Sequence, residues 1–156
     1  MITIQKSPTA DTRTCDVTKV TKEVLIDSSR KHIQDVQFGL AFFRQKLVEA
    51  GAAHDYTKLE RIDQFFSDFK TKFEKHDWWD QHQKLERHHI GAAAGVREDV
   101  DLIDVLEFIT DCVMAGMARA GSVYELKLPP ELLEKAFQNT VTKLKAEVVV
   151  QEPKKI

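Results

Sequence analysis

Histidines with nearby carboxylates are the feature of this sequence that could do chemistry. The chain has six histidines, and His82, His88 and His89 follow a Trp-Trp pair within one short stretch. His82 and His89 are seven residues apart, a spacing that puts both on the same side of a short helix. His54 directly precedes Asp55 in the loop between two predicted helices. Imidazole is the commonest neutral metal ligand, so these spacings indicate a divalent metal site.

Two further candidate ligands lie within predicted helices. His32 lies on the edge of an apolar stripe that contains Val36 and Phe43, and we expect it to face inward. Asp111 belongs to a helix that is apolar almost all round, whereas Asp104 lies near the polar end of the same helix. We therefore expect Asp111 to be the more buried carboxylate. A buried ionised carboxylate needs a partner, which is either a metal ion or an Arg or Lys from another helix.

Each of these residues also has a purely structural interpretation. His32 could be a hydrogen-bonded core histidine, and Asp55 could cap the next helix while His54 is solvated. The paired histidines beside the tryptophans could form an interface or a structural corner. The metal hypothesis rests on the coincidence of all of them. Its ligand set for one or two divalent ions is His32, His54, Asp55, His82, His88, His89 and Asp111.

The elements that must position these residues are predicted to be helices. A first helix or helix pair runs from about Lys19 to Ala50, with Gly51 as its stop. Thr57 and Glu60 have the spacing of a capping box, which predicts the start of a second long helix. The buried stripe predicted for that helix consists of Leu59, Ile62, Phe66, Phe69 and Phe73.

The second half of the chain continues the helical pattern. A short helix and a loop are predicted for residues 76–95. A third long helix is capped by Asp99 or Asp101 and ends at Gly121, and Pro129-Pro130 opens the last one. The predicted fold class is all-α, a compact bundle of five or six helices. We expect a polar arm over 1–17, one helical domain over 18–147 and a tail over 148–156.

Composition limits the classes of function. The chain has 156 residues, a formal charge of −2 and 42% hydrophobic residues, which is typical of a soluble domain that folds without a structural metal. The charge argues against a nucleic-acid polymer as partner, and no apolar run is long enough for a membrane span. The two cysteines, Cys15 and Cys112, predict no disulfide and favour a cytoplasmic location.

The order His32, His54-Asp55, Asp111 resembles the H…HD…D signature of the HD-domain metal-dependent phosphohydrolases. His54-Asp55-Tyr56-Thr57-Lys58 looks like the HDxxK form of that motif, and His88-His89 looks like the paired histidines of the binuclear branch. The stretch from His32 to Leu144 is also similar to small uncharacterised HD-like proteins of bacteriophages and bacteria. The Gly-Tyr-Pro element of the cyclic-dinucleotide-cleaving branch is absent.

The resemblance implies an all-α fold and a metal-dependent phosphohydrolase in which metal-bound water attacks phosphorus. The implied substrate is a nucleotide, either a nucleoside monophosphate or triphosphate. Asp55 would bridge metals or orient the water, and Lys58 would clamp the phosphate. The further candidates for substrate binding are Arg87, Arg119 and Trp78. The cofactor would be one or two ions of Mn, Fe, Co, Ni or Zn.

A second hypothesis comes from a different class of protein. The chain could be a non-catalytic helical module that keeps an HD-like ligand set and acts by binding a host or phage protein. Both hypotheses are compatible with a homo-oligomer, and a phage-encoded chain would act in the host cytoplasm. Metal content and phosphate release distinguish the two hypotheses.

Overall fold

The computed structural model describes residues 1–7, 13, 15–92 and 95–152, so parts of the predicted arm, of the 76–95 loop and of the tail lie outside the described residues. The all-α class is confirmed, with one short parallel strand pair in addition. In the described ranges, no helix is both long and apolar enough to cross a membrane. The elements are β1 (Ile2–Gln5), a short 3-10 helix (Val17–Lys19), α1 (Lys22–Ala53), α2 (Tyr56–Glu60), α3 (Ile62–Lys70), α4 (Asp77–Leu85), α5 (Leu102–Ala120), α6 (Pro130–Glu147) and β2 (Val148–Gln151).

Several helix ends follow the predicted signals. Asp101 accepts hydrogen bonds from the first-turn amides of α5 and forms a capping box with Asp104. Gly121 ends α5 with a φ of 65°, in the left-handed region that glycine adopts at little cost. Pro130 opens α6, as predicted. Gly51 does not end α1, which continues to Ala53.

The predicted second long helix is wrong. Residues 56–70 form two short helices, α2 and α3, with Arg61 between them. Thr57 lies inside α2 and its hydroxyl contacts other side chains, so it does not form a capping box with Glu60. The apolar stripe is not buried either, since Leu59 is 81% exposed and Phe66 and Phe69 are also exposed.

The chain forms two compact units, residues 1–45 with 142–156, and residues 46–141. In the first unit, β1 pairs in parallel with β2, and Ile2 lies opposite Val148. The N-terminal ammonium forms an ion pair with Glu147 at 3.0 Å. Residues expected to lie in an arm and a tail therefore pair with each other.

The second unit holds the hydrophobic core, which consists of Ile90, Val100, Val105, Leu132 and Ala136. These residues join α5, α6 and the segment before α5. The Thr140 hydroxyl also accepts a hydrogen bond from the Leu102 amide, and this bond joins the start of α5 to α6. Only the first turns of α5 are buried, and Met114 and Met117 near its other end are exposed. An almost wholly apolar sequence therefore does not make α5 a buried helix along its length.

Candidate metal centre

Asp55 stands at a strained position between α1 and α2. Its φ of 57° lies in the left-handed region, which is uncommon for a residue other than glycine and is tolerated best by Asn and Asp. Although Asp55 occupies the position before α2, its side chain makes no capping hydrogen bond. The capping interpretation is therefore wrong. Its Oδ2 accepts a hydrogen bond from Lys58 Nζ, while its buried Oδ1 has no hydrogen-bond partner among the described residues.

His82 is buried and its ring orientation is fixed by a chain of hydrogen bonds. The Thr57 hydroxyl lies 2.6 Å from His82 Nδ1 and donates to Glu86 Oε1 at 2.7 Å. Because the hydroxyl has one proton, it must accept from Nδ1 while it donates to the carboxylate. This arrangement leaves Nε2 of a neutral His82 with a free lone pair. Nε2 lies 3.4 Å from Asp55 Oδ1.

His54 and His88 are oriented by a shared carboxylate. Glu107 Oε1 lies 2.9 Å from Nδ1 of His54 and 3.0 Å from Nδ1 of His88. Since an ionised carboxylate only accepts, both Nδ1 atoms carry the proton and both Nε2 atoms face away from Glu107. His88 Nε2 is buried, has no hydrogen-bond partner in the described part of the chain, and lies 3.7 Å from Asp55 Oδ1. A carboxylate behind a histidine is the usual support of a metal-ligating imidazole.

His89 completes the cluster. Its Nε2 lies 2.8 Å from Nε2 of His82. Two ring nitrogens at this distance need either a proton or a metal cation between them. Buried polar atoms without partners are rare in folded proteins and need an explanation. Among the described residues, such atoms in this cluster are Asp55 Oδ1 and His88 Nε2. A carboxylate oxygen and an imidazole nitrogen are typical donors of a transition-metal site.

These side chains form three overlapping groups that could hold a metal ion. The first is Asp55, His82, His88 and His89; the second is His54, His88 and Glu107; the third is His54, Asp55 and Asp111. The first group is largely buried, and the third is half-buried. Glu107 already accepts hydrogen bonds from His54 and His88. We therefore regard Glu107 as the residue that orients these two histidines for the first and third groups, and not as a metal ligand. Asp55 belongs to both the first group and the third.

The electrostatics of the histidines differ with their neighbours. Burial and the neighbouring His89 lower the pKa of His82 to about 3, and burial with the charge of His88 lowers that of His89 to about 4. Burial also lowers the pKa of His88, but its hydrogen bond to Glu107 and the nearby carboxylates outweigh this and raise it overall. His82 and His89 are therefore neutral near pH 7, which is the form that binds metal.

Asp55 and Glu107 both have a pKa below the ordinary value of a carboxyl group. Burial raises the pKa of Asp55, but Lys58 and the neighbouring histidines lower it by more. Burial likewise raises the pKa of Glu107, and its hydrogen bonds from His88 and His54 lower it by more. Both groups are available as anions over the neutral pH range.

The predicted order of burial on α5 is wrong. Asp104 is 2% exposed, whereas the side chain of Asp111 is 29% exposed. Arg87 explains the difference, because its guanidinium donates two hydrogen bonds to Asp104, at 2.6 and 2.7 Å. It also donates to Asp99, at 2.9 Å. Arg87 therefore has a structural role as the partner of two carboxylates.

Other predicted residues lie outside the cluster. Trp78 is 1% exposed, so the prediction that it binds substrate is wrong; it packs on Phe65, and its indole N–H donates to the Thr57 carbonyl. Arg119 is exposed in the last turn of α5. His32 is exposed on α1, in the first unit, and belongs to none of the three groups. Its predicted inward orientation is wrong.

The sequence interpretation missed Glu107, Glu86 and Thr57. Glu107 shares a face of α5 with Asp104 and Asp111, and that spacing was a usable signal for it. Glu86 follows His82 by four residues, the spacing of neighbours on a helix. The role of Thr57 had no sequence signal, because it depends on how α2 packs on α4.

Comparison with protein-family models, with curated proteins and with solved structures finds no match for this chain.

Proposed function

We propose that this chain is a metal-dependent phosphohydrolase of the HD-domain type that acts on a small phosphate ester, with nucleotides as the first class to test. The observation that carries the proposal is the convergence of Asp55 Oδ1 and His88 Nε2 with the Nε2 atoms of His82 and His89. The first two atoms are buried and have no hydrogen-bond partner among the residues that the structure describes. A donor set of imidazoles and carboxylates suits Mn, Fe, Co, Ni or Zn better than Mg or Ca.

The donor groups support one structural ion and one catalytic ion. Asp55, His82, His88 and His89 offer four donors in a largely buried setting, which is the pattern of a closed site. His54, Asp55 and Asp111 offer three donors and are half-buried, which is the pattern of a catalytic site with an open position. Asp55 belongs to both groups, so its carboxylate would be available to either ion.

A divalent ion held by these residues would activate water near neutral pH and offset charge on the phosphoryl oxygens. The residues of this chain then have distinct roles. Asp55 holds the ligand set together from its strained position, and Glu107 keeps His54 and His88 in the orientation that exposes Nε2. Lys58, the cation that contacts Asp55, is the residue we assign to a phosphoryl oxygen.

The first experiment measures metal content and turnover together. Protein purified without added metal is analysed for transition metals, and phosphate release is measured on nucleoside mono- and triphosphates with Mn, Co or Zn added. We expect bound transition metal and metal-dependent release. Asp55→Asn should lose both, while Asp77→Asn, at an exposed position in the first turn of α4, should keep both.

The result that would contradict the proposal is equally specific. Bound metal without turnover on any phosphate ester would favour the non-catalytic binding module. Absence of metal from the parent chain and from Asp77→Asn, even after dialysis against Zn or Mn, would show that the cluster is not a metal centre.

A further inference from the structure

A cleft of about 280 Å³ opens beside the half-buried donor group. One wall comes from the C-terminal end of α1 and the other from α5, and both lie in the second unit. His54, Glu107 and Asp111 form part of the lining, so anything that occupies the cleft lies against two of the three donors of the half-buried group, His54 and Asp111. The apolar lining side chains are Leu47, Ala50, Leu106 and Met114.

The cleft lacks the groups that bind additional phosphates. None of the described residues that line it is Lys or Arg. Among the cations near the donor histidines, Arg87 pairs with Asp104, and Lys58, which contacts Asp55, is assigned to the phosphoryl group that is hydrolysed, so neither is left for a further phosphate. The Thr110 hydroxyl donates to the Leu106 carbonyl of its own helix, so it is not a free donor. A polyphosphate chain would meet two carboxylates and no compensating charge there.

We propose that this cleft binds the uncharged, apolar organic group of the substrate, which makes the preferred substrate a phosphate monoester of an apolar alcohol. The inference rests on the proposed function and narrows its substrate class. Water adds to phosphorus, the bond from phosphorus to the ester oxygen breaks, and the leaving oxygen takes up a proton. The products are the free alcohol and orthophosphate.

The physical reason is the hydrophobic effect at the apolar wall. Leu106 is 46% exposed and Met114 is 64% exposed, so an apolar group laid against them removes apolar surface from water. A binding pocket of this kind discriminates by about tenfold for a modest change in apolar contact. The discrimination acts on binding, so it changes KM more than kcat.

The test uses the full chain with its metal and a graded set of monoesters. We expect kcat/KM to rise from ribose 5-phosphate to phenyl phosphate to 1-naphthyl phosphate, and nucleoside triphosphates to be poor substrates. Leu106→Ser should raise KM for 1-naphthyl phosphate by about tenfold while kcat stays the same. Ile109→Ser is the matched control, because Ile109 is similarly exposed on α5 but does not line the cleft.

A binding measurement separates this inference from the proposed function. Calorimetry with a non-hydrolysable naphthyl phosphonate should give weaker binding to Leu106→Ser than to Ile109→Ser. If the chain hydrolyses nothing but this difference remains, the proposed function fails and the cleft assignment stands. If turnover is present and Leu106→Ser changes neither KM nor phosphonate binding, or if triphosphates are preferred, the cleft assignment is wrong. A change in sedimentation with an unchanged KM would assign the surface to a second copy of the chain and would also overturn it.

Discussion

The Thr57 hydroxyl accepts a hydrogen bond from Nδ1 of His82 at 2.6 Å and donates one to Glu86 Oε1 at 2.7 Å. A side chain with one proton thus decides which nitrogen of a buried imidazole is free to bind metal. Supporting groups of this kind are expected to be nearly as important as the ligands that they orient.

Thr57→Val should weaken metal binding by about 10- to 100-fold, because it removes the hydroxyl and keeps nearly the same shape. The measurement is a competition titration against a chelator. Thr142→Val, at an exposed position of α6, is the control and should leave the affinity unchanged. An affinity of Thr57→Val equal to that of the parent chain would show that the hydroxyl does not set the imidazole orientation.

Asp111 and Asp104 should respond to substitution in opposite ways. Asp111→Asn removes a half-buried donor, so we expect loss of metal with little change in the melting temperature of metal-free protein. Asp104→Asn breaks a buried ion pair with Arg87 and should lower the free energy of unfolding by about 3 kcal/mol, while folded protein keeps its metal. Elemental analysis and thermal unfolding of both variants test this, and the reverse assignment of the two effects would contradict it.

Three histidine variants test whether the metal ligands are those of the donor groups or those that the HD-domain resemblance implies. His89→Gln should reduce metal content, because His89 is one of the four donors of the largely buried group. His76→Gln should not, since His76 is exposed and belongs to none of the groups. We also expect His32→Gln to keep its metal, although the resemblance assigns His32 as a ligand. Metal loss in His32→Gln would restore that assignment.

The metal-free protein should lose stability in mild acid. In the unfolded chain His82 and His89 take up protons near pH 6.5, whereas in the folded chain they do so only near pH 3 and 4. The unfolded state therefore binds more protons between these values, and the free energy of unfolding falls as the pH decreases from about 6.5 to 4. His88 has a raised pKa, so its contribution to the free energy of unfolding is constant below pH 6.5. It therefore does not reverse the loss of stability in acid.

Chemical denaturation across this range, with chelator present, measures the effect. Each unit of pKa depression corresponds to about 1.4 kcal/mol. His89→Gln should reduce the slope of stability against pH, and His76→Gln should leave it unchanged. A flat profile in the parent chain would mean that these two rings are not buried in the folded state.

Much of the site could be predicted from residue types alone, and its supporting shell could not. His54, Asp55, His82, His88, His89 and Asp111 were all candidate ligands, and all lie in the donor groups. Histidine is rare enough to stand out, with six in the chain, and the two aspartates were singled out by their place beside His54 and within an apolar helix. Thr57 and Glu86 are common residue types, and only the packing of α2 against α4 gives them a role.

The errors about burial have a common cause. Periodicity indicates which residues share a face of a helix, but not which face another element covers. Leu59 and Phe66 follow the spacing of a buried stripe and are exposed. Asp104 is buried because an arginine distant in sequence reaches it, and helix spacing carries no information about such a partner.

The two tryptophans of the chain lie beside the donor histidines, with Trp78 stacked on His82 at a ring distance of 4.5 Å and Trp79 set edge-on to His89 at 5.5 Å. Indole emission is sensitive to the charge and electronic state of a neighbouring ring. The chain therefore carries its own optical reporter: its intrinsic fluorescence should follow occupation of the largely buried donor group, in the unmodified protein and without a dye or a label.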